Sequence, residues 1–408
     1  MLLNLPQISI PGIKPICFLV FLALVSCKNV RNSTITIKED WKVHFIDSTL
    51  YGADGIRKGF FNNDSITDFI VGGEEYGATR VYLGLENGAF TQIEFPSPDV
   101  EDAIFHDINN DGKQEVFTFS EGKSQYIGFH YLDDHDVWNH QKISISEDVK
   151  WMYSAWADLD NDGSKEIVVG SKGENGMIGF LKPIGTQLQS LEWHLVKLAN
   201  SGWIMSIECT DLNDDGLPDI LISDRKGIEN TGIKWYKNPG GNIEKNSWEE
   251  QVLGLKGKEP MFLTLTDFNK DGLEDLLVAE IHGGVFLLKR ENKAEVKYRE
   301  EKLFEYPDFA GGRGKSVACL DLNNDGENEI ITSYEEAEDK YGLIASKFDD
   351  QDKEWNHWKL SSIKGIKYDK ILPHDMDSDG DLDLLNTEER ENKNGLGVIW
   401  YENPTLNK

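Results

Sequence analysis

The sequence predicts an all-β fold, a seven-bladed β-propeller of four-stranded blades. Three observations predict it. An acidic loop of fixed spacing starts near residues 60, 107, 158, 211, 267, 321 and 375, a period of 47 to 56 residues. Short apolar runs rich in strand-forming residues flank every copy. The two ends of the chain also complement each other. A period of about 50 residues with β character means one propeller blade per repeat.

The N-terminus is read as an export signal rather than fold. Lys14 precedes the apolar run Pro15 to Ser26, too short to span a bilayer as a stable anchor. Residues 1–26 are read as a lipoprotein signal peptide, because Leu24-Val25-Ser26-Cys27 resembles the bacterial lipobox. Cys27 is then the lipidated first residue, and multiple acylation would anchor the chain to the envelope, outer membrane being the expected site. An ordinary signal peptide with a chance Cys is the alternative. Residues 27–40 are polar and aperiodic and read as a tether, leaving 41–404 for the propeller.

Within the repeat, an apolar strand such as Ile204-Met205-Ser206-Ile207 runs into the acidic loop. A second strand follows, as in Ile220-Leu221-Ile222-Ser223, and then a third, as in Gly232-Ile233-Lys234-Trp235-Tyr236. A fourth begins at an aromatic: Phe90, Trp138, Trp193, Trp248, Tyr298 or Trp355. The last repeat stops after its third strand, near Asn403-Pro404. The stretch Trp41-Lys42-Val43-His44-Phe45-Ile46 looks like the missing fourth strand. The N-terminal strand therefore completes the last blade, closing the ring and covering edges that would otherwise pair with other chains.

The loops carry a metal-binding pattern. Side-chain oxygens at positions one, three, five and nine, with Gly at six, are what calcium takes, since Gly supplies the tight turn and hard oxygens the ligands. The sets are Asp107, Asn109, Asp111 and Glu115; Asp158, Asp160, Asp162 and Glu166; and Asp211, Asn213, Asp215 and Asp219. The later ones are Asp267, Asn269, Asp271 and Asp275; Asp321, Asn323, Asp325 and Glu329; and Asp375, Asp377, Asp379 and Asp383. About six structural Ca²⁺ ions are expected. The copy at Phe60, Asn62, Asp64, Ser65 and Asp68 has lost the first Asp and the Gly, so metal there is in doubt. Turns that bind nothing are the alternative, but turn chemistry does not require an acid at position nine.

Composition narrows the partners. The net charge of −30 over 408 residues is partly the twenty carboxylates at these ligand positions. No basic stripe of the nucleic-acid type appears, and no nucleic acid partner is expected. No Cys/His zinc spacing, phosphate-binding Gly loop or nucleophile elbow is present. Cys209 and Cys319 sit in matching positions before two loops, where packing is favoured over a disulfide.

Over residues 41–404 the repeats resemble FG-GAP/VCBS repeats, found in integrin α-subunit propellers and in many bacterial secreted proteins. The string Gly232-Ile233-Lys234-Trp235-Tyr236-Lys237-Asn238-Pro239 and its echo at 397–404 also resemble bacterial propellers of carbohydrate breakdown, some of them lyases or dehydratases of the uronic-acid type. The resemblance implies that the acidic loops lie on one face and that ligands bind on the other.

The loops assigned to that other face carry Arg57, Lys150, Trp203, Arg225, Arg313 and Lys315, a set that suits an anionic oligosaccharide or polysaccharide: guanidinium forks for carboxylate or sulfate and an indole for stacking. If the site is catalytic, β-elimination from a uronic acid is the fitting chemistry, with a cation on the sugar carboxylate, a base and an acid. His282, in the loop Ile281-His282-Gly283-Gly284, is the first choice for base or acid, with Tyr153 or Tyr334 as its counterpart. Hydrolysis by two carboxylates stays open. The alternatives are a non-catalytic glycan-binding or adhesion propeller and an assembly scaffold. The chain is expected to act as a monomer.

Overall fold

A computed structural model describes residues 37–145, 148–185, 187–227, 231–389 and 395–405. The expected signal peptide and Cys27 lie outside the described residues. The described chain forms seven antiparallel sheets of four strands each, the blades of a propeller. Apart from a single 3-10 turn, Leu188–Ser190, the described secondary structure is strand. No described helix is long and apolar enough to cross a membrane.

The innermost strands of blades one to seven are Ala53–Gly59, Val100–His106, Lys150–Ala157, Ile204–Thr210, Pro260–Thr266, Arg313–Leu320 and Leu372–His374. Each runs into one of the seven sequence-read loops and returns as the second strand. The second strands are apolar runs without alternation: all residues of Asp68–Gly73, Glu115–Ser120 and Asp383–Glu388 are buried. A strand packed on both faces by neighbouring blades gains nothing from a polar side. Outer strands do alternate, as in Glu192–Asn200, because one face meets water.

The ring closes as the sequence predicts. Strand Lys42–Asp47 pairs antiparallel with Gly397–Glu402, with Val43 opposite Tyr401 and Phe45 opposite Ile399. Closure begins earlier than expected, however. Ile37 is 5 % exposed and packs with Trp41 against Leu320, Leu322 and Leu360 of blade six. Lys38 Nζ donates to the Pro404 carbonyl at 2.5 Å, and the Trp41 N–H to that of Leu360 at 2.9 Å. The end of the expected tether thus belongs to the propeller, because an apolar residue and an indole both find cover there.

The repeated Asn-Pro strings have a physical role. Asn238 Nδ2 donates to Pro218 of its own blade and to Leu159 of blade three, both at 2.8 Å, while its N–H donates to Asp219 at 2.7 Å. Asn403 repeats this between blades seven and six, through Asp383, Leu382 and Leu322. Each Asn ties one acidic loop to the loop before it. Cys209 and Cys319 are free thiols on blades four and six.

Candidate functional site

The six acidic loops share one backbone. In blade two the Asp111 N–H donates to Asp107 Oδ1 at 3.0 Å and Asn109 Oδ1 at 3.1 Å, and the Gly112 N–H to Asp107 Oδ2 at 2.8 Å. The same bonds recur in blade seven, at 3.2 Å from Asp379 to Asp375 and Asp377 and from Gly380 to Asp375. The fourth and sixth residues of every loop are left-handed, for example Asn110 at φ 57° and Gly112 at 87°. Asn and Gly tolerate that region best. The ninth-position acid is buried and reaches back to the start of the loop: Glu115 accepts the Ile108 N–H at 2.9 Å, and Glu166 that of Leu159 at 2.9 Å.

This donor set fits calcium. All its groups are hard oxygens. In blade three, ligand atoms of Asp158, Asp160 and Glu166 lie within 4.8 Å of one another, and those of Asp375, Asp377 and Asp383 do so in blade seven. Packing so many carboxylates together has a visible cost. Burial, reinforced by the neighbouring loop aspartates, pushes Glu115 and Asp383 up to about 7 against the backbone bonds that pull them down. Blade one differs. Phe60 stands in place of the first Asp and Ser65 in place of the left-handed Gly, while Asp68 keeps the ninth-position role and accepts the Phe61 N–H at 2.6 Å and the Gly84 N–H at 2.9 Å. The turn forms there without a full ligand set.

On the opposite face the innermost strands begin, and here the sequence-read residues separate into groups. Trp203 is half-buried and ringed by cations: Arg225 Cζ lies 4.1 Å from the ring centroid, Lys172 Nζ 4.2 Å and Lys226 Nζ 5.1 Å. Arg225 is 6 % exposed, with Nη1 against the sulfurs of Met261 at 3.5 Å and Met205 at 3.8 Å. Burial and the neighbouring Arg313 lower its pKa. Glu259 approaches Arg225 Nε only to 4.0 Å, and Arg313 Nη1 lies 3.4 Å from Glu335. Among the described residues, Trp203 Nε1, Arg225 Nε and Arg313 Nε are buried donors without an acceptor.

Two expectations are corrected here. Lys315 does not face a ligand. It is 6 % exposed and pairs with Glu335 at 2.6 Å, Asp369 at 3.3 Å and Glu389 at 3.9 Å. Carboxylates from three blades meet this lysine: Glu335 of blade six, Asp369 and Glu389 of blade seven, and Asp54 of blade one. Asp54 and Asp369 both accept the Gly55 N–H, at 2.9 and 3.0 Å. Burial and Asp369 push Asp54 well above the usual carboxylate range, whereas Lys315 outweighs burial and draws Asp369 down to about 2. Tyr334 is no counterpart acid either. It is 0 % exposed, edge-on to Tyr306 at 5.0 Å, because the second strand extends through Glu335 and its residues are all covered.

His282 is exposed in its loop, with Nδ1 3.3 Å from the Gly312 carbonyl oxygen and its own N–H on Glu280. Lys150 is exposed at the start of its strand. Arg57, read as a loop residue, lies inside strand Ala53–Gly59 instead and is partly buried. There it stacks over Tyr153 at 4.1 Å and pairs with Asp102 at 2.9 Å. Burial opposes its charge, but Asp102, Tyr153 and Glu208 outweigh it and raise its pKa. Lys370 Nζ donates to the Tyr153 hydroxyl at 2.7 Å. Arg57, Tyr153 and Lys370, with Lys58, Trp156 and Glu208, line an axial cavity of about 260 Å³ among the innermost strands. Of the proposed catalytic trio, the structure therefore gives Tyr153 alone both a cavity and a cation. Lys370 was missed as its partner, since the two are 217 residues apart and no local pattern joins them.

Residues 61–118, 107–169, 211–278 and 267–332 match the family model of the FG-GAP-like repeat. The chain belongs to the FG-GAP-like repeat family. Each matched FG-GAP stretch starts in or beside one acidic loop and ends in the second strand of the next blade, so the family unit straddles two blades and contains the loop geometry described above. No curated protein matches the chain.

Proposed function

We propose that this FG-GAP propeller is braced by calcium in the loops of blades two to seven and binds an anionic oligosaccharide on the opposite face, at the corner of Trp203, Arg225 and Arg313. The observation that carries the reading is the set of buried donors there, Trp203 Nε1, Arg225 Nε and Arg313 Nε, that find no acceptor among the described residues. A buried donor left unpaired costs about 1–3 kcal/mol, so an arriving carboxylate or sulfate would recover that cost and neutralise the guanidinium pair. The indole adds a plane for a sugar ring. Acylation at Cys27 would anchor the protein to a bacterial envelope. Calorimetry with uronic-acid oligosaccharides is the test: binding that Trp203→Ala abolishes, and that neutral oligosaccharides of equal length do not reproduce, supports it. Equal binding of neutral and acidic sugars, or none of either, refutes it.

A second reading, β-elimination, is favoured by the Tyr153 hydroxyl, which accepts from Lys370 beside Arg57 in the axial cavity. In that chemistry Arg57 or Lys58 faces the sugar carboxylate, and the Tyr153 oxygen accepts the C5 proton while its hydroxyl proton passes to the leaving glycosidic oxygen as the C4–O bond breaks. The product carries a conjugated double bond that absorbs in the ultraviolet. Absorbance that grows with the native chain and not with Tyr153→Phe supports this reading; no change with any uronate removes it.

A further inference from the structure

The blades differ in the residue that faces the ninth-position acid from the third strand. Ile167 pairs with Leu181 and Ile330 with Ser346, so Lys182 stands opposite Glu166 and Lys347 opposite Glu329. By the same count Lys237 stands opposite Asp219 in blade four and Lys289 opposite Asp275 in blade five. Directly opposed residues of an antiparallel pair lie on one face, with Cβ atoms about 5 Å apart. A lysine stem is long enough to carry its ammonium from there into the loop.

In two blades it arrives. Lys182 Nζ contacts Asp160, lies 3.4 Å from Glu166 Oε1 and 3.5 Å from Asp162. Lys347 Nζ lies 2.6 Å from Asp325, 3.0 Å from Glu329 and 3.2 Å from Glu327. Lys237 is further out, 3.8 Å from Asp215. Blades two and seven have no such group. Tyr131 stands opposite Glu115, and opposite Asp383 stands Glu402, itself bound to Lys42 at 3.0 Å and His44 at 2.6 Å.

We propose that Lys182 and Lys347 are built-in counter-ions that occupy the loops of blades three and six in place of a divalent cation, dividing the loops into two affinity classes. An ammonium offers three donors to these carboxylates, whereas calcium needs six to eight oxygens at 2.3–2.6 Å. The two cannot share the centre, so calcium must displace the lysine in blades three and six. Among the described residues, no third-strand lysine stands opposite the ninth-position acid in blades two and seven, and these loops bind calcium more tightly. Lys237 and Lys289 place blades four and five between these limits. The inference rests on the calcium reading proposed above.

The test is calorimetric titration of chelator-treated full chain with calcium, for the native protein, Lys182→Met, Lys347→Met and the double substitution. Methionine keeps the apolar stem and removes the charge. The double variant is expected to move two sites into the tight class, by about tenfold in affinity. It should also melt lower than the native chain in chelator. The reciprocal change Tyr131→Lys, at a buried position where the lysine stem takes the place of the ring, should weaken a tight site by a similar factor. Calcium binding by all variants with unchanged affinities overturns the lysine assignment alone. No calcium binding by any of them, the native chain included, overturns the calcium reading and this inference with it.

Discussion

The two faces of the ring teach different things. On one, six loops repeat the same hydrogen bonds at nearly the same distances, and the seventh keeps the turn after losing its first ligand. On the other, no two blades present the same residues: blade three offers Lys172, blade four Trp203 and Arg225, blade six Arg313 and Lys315, blade seven Asp369 and Glu389. Repetition marks a requirement that every blade shares, which is to hold a turn together. Variation marks residues that answer to their neighbours across the ring or to something outside it. Not every charge on the variable face is free for a ligand, and substitutions can tell the two kinds apart.

The largest effect is expected at Lys315. Lys315→Ala leaves Glu335, Asp369 and Glu389 without their shared counter-ion, and removing one partner of a buried charge cluster costs about 3–5 kcal/mol in urea denaturation. A cost below about 1 kcal/mol would mean that the lysine is a surface charge after all. On the repeated face, Asn238→Ala removes the bonds to Leu159 and Pro218 and leaves both carbonyls unpaired. A loss of about 3 kcal/mol is expected, together with faster amide exchange in the loops of blades three and four. Asn246→Ala, an exposed neighbour, serves as the contrast and should change little.

A third effect is set by pH. His130, 2 % exposed, faces His140 Nδ1 at 2.7 Å, and burial with that neighbour lowers its pKa from 6.5 to about 3. The unfolded chain takes up a proton below pH 6.5 that the folded chain refuses until about pH 3. Stability contributed by neutral His130 is therefore fully present above pH 6.5 and falls as pH drops through that window, by about 2 kcal/mol at pH 5. Chemical denaturation of native chain and His130→Phe at pH 7.5 and 5 checks it: the difference between the two pH values should shrink in the variant. The smallest effect belongs to Arg313, whose side chain keeps 27 % of its surface exposed. Arg313→Ala should cost less than about 1 kcal/mol in stability while weakening uronate binding.

The same contrast explains what the sequence disclosed. The acidic loops were legible because their side-chain oxygens and Gly recur at fixed local spacing, and closure by the strand after Trp41 was legible because the last repeat lacked a fourth strand. Tyr334 was misplaced because a second strand covered on both sides has no alternation to show where it ends. Lys315 was misplaced because its partners, Asp369 and Glu389, lie in the next blade, and cations were counted before the carboxylates that meet them. The cross-strand lysines were within reach: each of Lys182, Lys237, Lys289 and Lys347 follows its ninth-position acid at a spacing of 14 to 18 residues.

The central claim is that six loops hold calcium and the seventh does not. Crystals of the full propeller grown in saturating calcium, with diffraction recorded for anomalous scattering, test it most directly. The account predicts six peaks, one at each loop of blades two to seven, each ringed by the oxygens of positions one, three, five and nine. Loops without peaks in that crystal, or a peak of equal height at Asn62 and Asp64, would contradict it.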